Sequence, residues 1–248
     1  EAYMTFGGMP SLTEVPLELD KALTILDGIY SSVVIRDILE REKQRGRRQV
    51  TDSSLLRKII MFLADNIGNN TSINSISNIL LNEKLIETKP AVQTVQSYVS
   101  TLLEAYIFYE IKRFDIKGKE YLKTLGKYYI VDIGLRNYLL GFRNRDIGHI
   151  IENIVYFELL RRGYDVAIGK IGENEIDFIA TNINTKIYIQ VTENMANSST
   201  REREIAPFYK IQDNFEKIVI TNDESYLGIQ DGIKIIRLVD FLLDENIL

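Results

Sequence analysis

The chain has 248 residues, 45% of them hydrophobic and 26% charged, with a formal net charge of −5. Such values fit a globular protein of one large or two ordinary domains, and on an acidic chain any nucleic-acid footprint must be a local patch. The absence of cysteine removes disulfides, zinc fingers, iron–sulfur clusters and thiol catalysis, and the single His149 rules out a histidine-rich metal site. No apolar run approaches the roughly 18 residues of a membrane span and no secretory signal is visible, so a cytoplasmic protein is expected. A start at Glu1 rather than Met suggests a native protein that is longer at its N-terminus.

Residues 1–20 read as extended or turn-rich, because Gly7, Gly8 and Pro10 break regular structure. Leu23, Leu26, Ile29, Tyr30, Val33 and Val34 recur at helical spacing and predict a helix over 21–46, with a basic end (Arg36, Arg41, Lys43, Arg45, Arg47, Arg48) and a stop at Gly46. Ser53 is placed as the cap of a second helix carrying Leu55, Leu56, Ile59, Ile60 and Leu63, Ser72 opens a short third, and a loop from Asn82 to Pro90 leads into a longer one beginning near Val92. The period then changes to two around Lys117-Gly118-Lys119, which reads as a β-hairpin. Three helices and a hairpin are the order of a winged helix-turn-helix over 51–140, after a helical lead-in over 1–50. A short helix over 132–139 and a linker over 141–148 follow.

The last region, 148–248, opens with a helix from His149 to Gly163. Strands are predicted at Tyr164–Ile168, Glu175–Ala180, Lys186–Thr192 and Lys217–Thr221, with a crossover helix over Ser199–Ile211, an edge strand at Lys234–Arg237 and a final helix at Val239–Leu243. The crossover should set its strand parallel to the third. The fold class is therefore α/β (α+β overall) with a small mixed sheet.

Metal-dependent phosphodiester cleavage needs oxygens converging on a divalent cation, which activates water and neutralises developing charge. Asp177 and Gln190 lie on consecutive strands and point away from their apolar neighbours, and Glu152 or Glu158 from the preceding helix can complete a set. The competing reading has Asp177 as a cap or ion-pair partner and Glu152 as a solvated first-turn carboxylate. Glu175 and Glu193 read as exposed, and Lys170, Lys186 and Arg201 are candidates for a basic partner to the site. For nucleic acid, the third helix of the winged unit offers Gln93, Thr94, Gln96, Ser97 and Ser100, and the hairpin offers Lys112, Arg113, Lys117 and Lys119, with Lys123 and Lys127 following. Alternatively the hairpin is a solvated one, and the winged unit is a protein-docking module. His149 reads as structural. Gly118-Lys119 is followed by Glu120 and Gly126-Lys127 by Tyr128, so there is no phosphate-binding P-loop and no ATP hydrolysis by this chain.

The segments YMTFGGMP (Tyr3 to Pro10), RDI from Arg36, TVQSY from Thr94, LLEA from Leu102, KYYIVDIG from Lys127, Glu152-Asn153, ELLRRG from Glu158 and EIDF from Glu175 are together similar to a bacterial and archaeal group of AAA-type ATPases. Those proteins carry an ATPase domain, a winged helix and a C-terminal region called domain of unknown function 4143. The resemblance covers essentially the whole chain and implies an ATPase domain, and with it ATP, lying outside it. The C-terminal part of that group looks like the PD-(D/E)xK nuclease superfamily. Carried over, Glu152 matches the helix carboxylate, Asp177 the metal aspartate, Gln190 the D/E position and Thr192 the lysine position. Glu152, Asp177 and Gln190 are then the implied ligands of Mg²⁺ or Mn²⁺, and Asp177, Gln190 and Thr192 the implied catalytic positions. Gln is a poorer metal ligand than Glu, and Thr supplies no positive charge. The expectation is a DNA-interacting region of an AAA-type ATPase with a degenerate nuclease site, not membrane-bound and compatible with self-association. The alternative is a module that docks the ATPase domain or another subunit without nucleic acid.

Overall fold

A computed structural model describes residues 1–44, 50–82 and 89–248, and for Val33, Lys123 and Thr124 the backbone alone. Arg45, Arg47 and Arg48 of the basic helix end, its stop at Gly46 and most of the loop between Asn82 and Pro90 lie outside the described residues. The chain is mixed α/β and divides into two compact units, Glu1–Glu110 with Gly126–Arg143, and Ile111–Leu125 with Asn144–Leu248.

In the first unit the opening residues, expected to be extended or turn-rich, combine a short helix with a turn. Ala2–Phe6 form helix α1 and Pro10–Glu14 a 3-10 turn, with Gly7 (φ 77°) ending α1. The helix expected over 21–46 is α2 (Leu19–Ile29), a π-helical stretch over Tyr30–Arg36, and α3 (Asp37–Gln44). Helix α4 (Ser53–Asp65) is capped by Asp52 rather than Ser53, its carboxylate accepting from Ser54 N (2.8 Å) and Leu55 N (3.1 Å). Helix α5 (Ile73–Asn82) starts where the Ser72 hydroxyl accepts from Ser75 N, and α6 spans Val92–Glu104. Leu56, Ile59, Ile60 and Leu63 of α4 bury beside Ile76 and Leu80 of α5 and Val95, Val99 and Leu102 of α6, the stripe that the helical period requires. Strands β1 (Phe108–Asp115) and β2 (Glu120–Ile130) form the hairpin, and α7 spans Ile133–Leu140.

Two of the segments quoted above meet in this unit. The Asp132 carboxylate accepts from Gly8 N (2.7 Å) and Leu135 N (3.0 Å), so it caps α7 and holds the YMTFGGMP segment at once. The Asn137 amide donates to the carbonyls of Met4 and Thr5, both at 2.9 Å. A side chain at Gly134 would run into the Phe6 carbonyl. Burial pushes the Asp132 carboxyl up from its ordinary pKa, and the N–H groups of Gly8, Leu135 and Gly134 partly offset that.

In the second unit α8 (Ile147–Arg161) starts two residues before His149. Strands β3 (Asp165–Ile171), β4 (Asn174–Thr181) and β5 (Lys186–Thr192) follow, then α9 (Ser198–Ile205) with a 3-10 turn over Ala206–Lys210, β6 (Glu216–Thr221), β7 (Gly228–Gln230), β8 (Ile233–Arg237) and α10 (Leu238–Leu243). The crossover is thus half α-helix and half 3-10, and β5 and β6 are parallel as expected. Strand β8 is not at the edge, because β7 pairs outside it. The sheet is also larger than expected. The outer half of the hairpin joins it, β1 lying parallel to β3 with Arg113 opposite Ile168 and Asp115 opposite Lys170. Helices α8 and α10 cover one face, where Tyr156 stacks on Phe178 with ring centroids 6.2 Å apart. Ile205, Phe208 and Ile211 close the other over Ile179, Tyr188, Val219 and Ile235.

Candidate functional site

Strand β4 carries a bulge where the site residues lie. Ala167 of β3 pairs with Ile179 and Gly169 with Ile176, so three steps of β4 face two of β3, across Asp177 and Phe178. On the other side, the regular ladder between β4 and β5 runs from Thr181–Lys186 to Phe178–Ile189 and stops. One step further, side chains take over from the ladder. Gln190 Oε1 accepts from Asp177 N at 2.7 Å, and Asp177 Oδ2 accepts from Val191 N at 2.8 Å. Asp177 and Gln190 are therefore brought together as the sequence suggested, the Gln190 amide oxygen on the backbone of Asp177 and the Asp177 carboxylate on the backbone of Val191. Gln190 is buried, whereas Asp177 is half-buried.

Thr192, also buried, sits at the end of β5 opposite Thr221, with its hydroxyl donating to the Asn194 carbonyl at 3.4 Å. Glu152 is buried on α8, and its Oε2 lies 3.9 Å from His149 Nδ1, which makes no hydrogen bond. Glu158 is occupied elsewhere. It accepts from Arg161 Nε (2.8 Å) and Nη2 (2.9 Å) and from Arg162 Nε (2.7 Å), while Arg162 also donates to the carbonyls of Phe241 in α10 and of Asp244 just beyond it. Burial raises the Glu158 carboxyl, but the two guanidiniums outweigh it and hold the carboxyl below the usual range.

The candidate basic partners serve other places. Lys186 lies 3.6 Å from Asp213 and 4.6 Å from the Tyr188 ring centre, at the far end of β5 from Gln190. Arg201 donates to the Met195 carbonyl and stacks on Tyr226, and Lys170 is paired in register with Glu175. Glu175 is half-buried rather than exposed, with Arg113 Nε 3.9 Å away.

A divalent cation would find a poor donor set here. Among the described residues no three His, Asp or Glu side chains gather as they would around a metal. The one amide oxygen at position 190 is already bonded to a backbone N–H.

The nucleic-acid candidates divide. Helix α6 exposes Gln93, Gln96 and Ser100 on one face, with Thr94 and Ser97 half-buried beside them and the Ser97 hydroxyl turned onto the Gln93 carbonyl. Lys112, Lys117 and Lys119 are exposed on the hairpin, whereas Arg113 is drawn in beside Glu175 and Lys127 is buried. Lys210 and Gln212, which belong to no motif in the sequence, line a cleft of about 570 Å³ with Lys117 and Lys119.

The family model described as Domain of unknown function (DUF8612) matches residues 1–146. The chain belongs to that family. The match takes in both the YMTFGGMP segment and the Asp132 that holds it. An uncharacterized protein of Haemophilus influenzae is 39% identical over 241 residues, covering 97% of this chain and 57% of that protein. One of Methanocaldococcus jannaschii is 30% identical over 254 residues, covering 96% of this chain and 53% of that protein. The chain spans about half the length of these curated relatives. No solved structure matches it.

Proposed function

We propose that this DUF8612 chain is a DNA-interacting region of an AAA-type ATPase, working in the cytoplasm, whose nuclease-like half binds rather than cuts. The observation that carries the reading is the exposure of Lys112, Lys117 and Lys119 together on one hairpin of an acidic chain. Three helices (α4, α5, α6) before that hairpin follow the winged-helix order, and α6 presents uncharged amide and hydroxyl groups suited to base edges and phosphates. The order α8-β3-β4-β5-α9-β6 with a parallel last pair fits a PD-(D/E)xK-like half. The bonds that Asp177 and Gln190 make to backbone N–H groups support a site retired from metal-assisted cleavage. The link to an ATPase rests on the motif resemblance. No helix among the described residues is long and apolar enough to cross a membrane.

Fluorescence polarisation with labelled duplex DNA across a salt series tests the reading. Binding should weaken steeply with salt, and Lys112→Glu should flatten the log–log slope by about 0.9 if that lysine neutralises one phosphate. Incubation of bound DNA with Mg²⁺ or Mn²⁺ should give no more cleavage than Asp177→Ala does; metal-dependent cutting that the variant loses would overturn the retired site. An absence of duplex binding at low salt would favour the second reading, a protein-docking module. One observation supports that module: Ile229, 80% exposed on the edge strand β7, beside the exposed Tyr226 and Leu227.

A further inference from the structure

We infer that the cleft between the hairpin turn and the 3-10 exit of the crossover is a nucleotide site, with Lys117, Lys119 and Lys210 on the phosphate, Ile116 under the base, and Gln212 at the base edge. Its walls come from three places in the second unit and have a volume of about 570 Å³, within the usual range for a small-ligand site.

Each wall is fixed. Ile116 N donates to the Lys170 carbonyl at 2.9 Å, which ties the hairpin turn to the end of β3. Lys119 N donates to the Asp115 carbonyl at 2.7 Å, and Lys117 N to Asp115 Oδ1 at 3.0 Å, so the Asp115 carboxylate is folded back onto the turn. On the other wall, Phe208 and Ile211 are buried in the core and leave Lys210 and Gln212 exposed to either side of Ile211. The Lys210 ammonium donates to Asn174 Oδ1, a neutral partner that orients it without cancelling its charge.

The chemistry selects the ligand. Three ammonium groups over one cleft call for an anion of more than one charge or for successive phosphates. The acid in the lining, Asp213, accepts from the Tyr188 hydroxyl at 2.6 Å and lies 3.6 Å from Lys186, so its charge is already answered from behind. The floor is aliphatic: Ile116 is half-buried and rests on the core, to which the buried Ile171 beneath it belongs. A flat, uncharged ring with hydrogen-bonding edges suits that floor and the Gln212 amide. Phosphate, ring and edge in one ligand make a nucleotide, either as a unit of single-stranded nucleic acid or free in solution. In its strand form the inference rests on the DNA reading above; in its free form it does not.

Polarisation with a short labelled oligothymidylate, and equilibrium dialysis with radiolabelled thymidine monophosphate, tests both forms. The variants are Lys210→Glu, Lys210→Arg and Lys119→Gln, with Lys112→Glu outside the cleft as comparison. Lys210→Glu should weaken binding by about tenfold or more, and Lys210→Arg should restore most of it. Lys119→Gln should weaken it severalfold without touching the Lys210–Asn174 bond, which keeps the test open should Lys210→Glu melt early. Loss confined to the oligonucleotide assigns the cleft to a strand. Monophosphate binding that needs Lys210, with no oligonucleotide bound, assigns the cleft to a free nucleotide and overturns its strand form. DNA binding that needs Lys112 but ignores Lys210 and Lys119 overturns the cleft and keeps the DNA reading. Binding of neither ligand overturns the cleft and leaves the DNA reading to the duplex titration.

Discussion

Asp132 of the first unit and Asp177 of the second both use carboxylate oxygens on backbone N–H groups of a neighbouring segment, Gly8 and Leu135 for one and Val191 for the other. Asp132 is 6% exposed, with an up-shifted pKa, and it fastens segments more than a hundred residues apart in sequence. Asp177 is half-buried and bridges adjacent strands beside a bulge, where Gln190 returns the bond. An aspartate inside a motif is thus no guide to chemistry by itself; its surroundings decide whether it builds the fold or remains within reach of a ligand.

The largest test of that contrast is Gly134→Ala. Its new methyl would meet the Phe6 backbone, and it should cost more than about 3 kcal/mol of unfolding free energy in urea melts. A loss under about 1 kcal/mol would mean that the YMTFGGMP segment is not held there. Next, Glu158→Ala should cost about 3 kcal/mol by leaving Arg162 nearly buried without its carboxylate. The folded pKa of Glu158 is lowered, so its contribution is present above the ordinary value of 4.5 and is lost as pH falls through the folded value. The wild-type advantage over Glu158→Gln should therefore narrow on acidification below about pH 4.5, and an unchanged gap would deny the ion pair its role.

A smaller effect separates the two functions of Asp132. Asp132→Ala removes the acceptors and should cost about 2 kcal/mol. Asp132→Asn keeps one of the two acceptor oxygens and sets an NH2 donor against the other N–H, while removing a charge that burial disfavours, so it should cost between about 1 and 2 kcal/mol, less than Asp132→Ala. The raised folded pKa gives the same sign, since stability from Asp132 is full below 3.8 and lost as pH rises through the folded value. The asparagine variant should compare best with wild type at neutral pH. Smallest is Asp177→Ala, at about 1 kcal/mol for one half-exposed cross-strand bond. A cost as large as that of Asp132→Ala would erase the distinction between the two aspartates.

Local pattern made much of the fold readable. The Leu56, Ile59, Ile60, Leu63 stripe gave α4, and β5 runs over Lys186–Thr192 as alternation predicts. What stayed hidden depends on distant partners. Gly7 and Gly8 look like breakers until Asp132 is placed against them. Strand β7 is three exposed residues with no period, so Lys234–Arg237 read as the edge. At the candidate site, the neighbourhood of Asp177 and Gln190 was legible from strand alternation, but their use on backbone N–H groups was not, because the bulge has no sequence signal. Lys210 was missed because its segment reads as continuous helix; Pro207 and the buried Phe208 convert it to a 3-10 turn.

The hairpin also bears on heredity. The family match ends at residue 146, near where the first unit ends at Arg143, yet it encloses residues 111–125, which belong to the second unit's sheet. A gene segment copied out as residues 1–146 would carry half a hairpin shaped for β3 and leave β3 with a raw edge. The two units are therefore poor candidates for shuffling as separate modules, and lineages that keep one have a physical reason to keep the other.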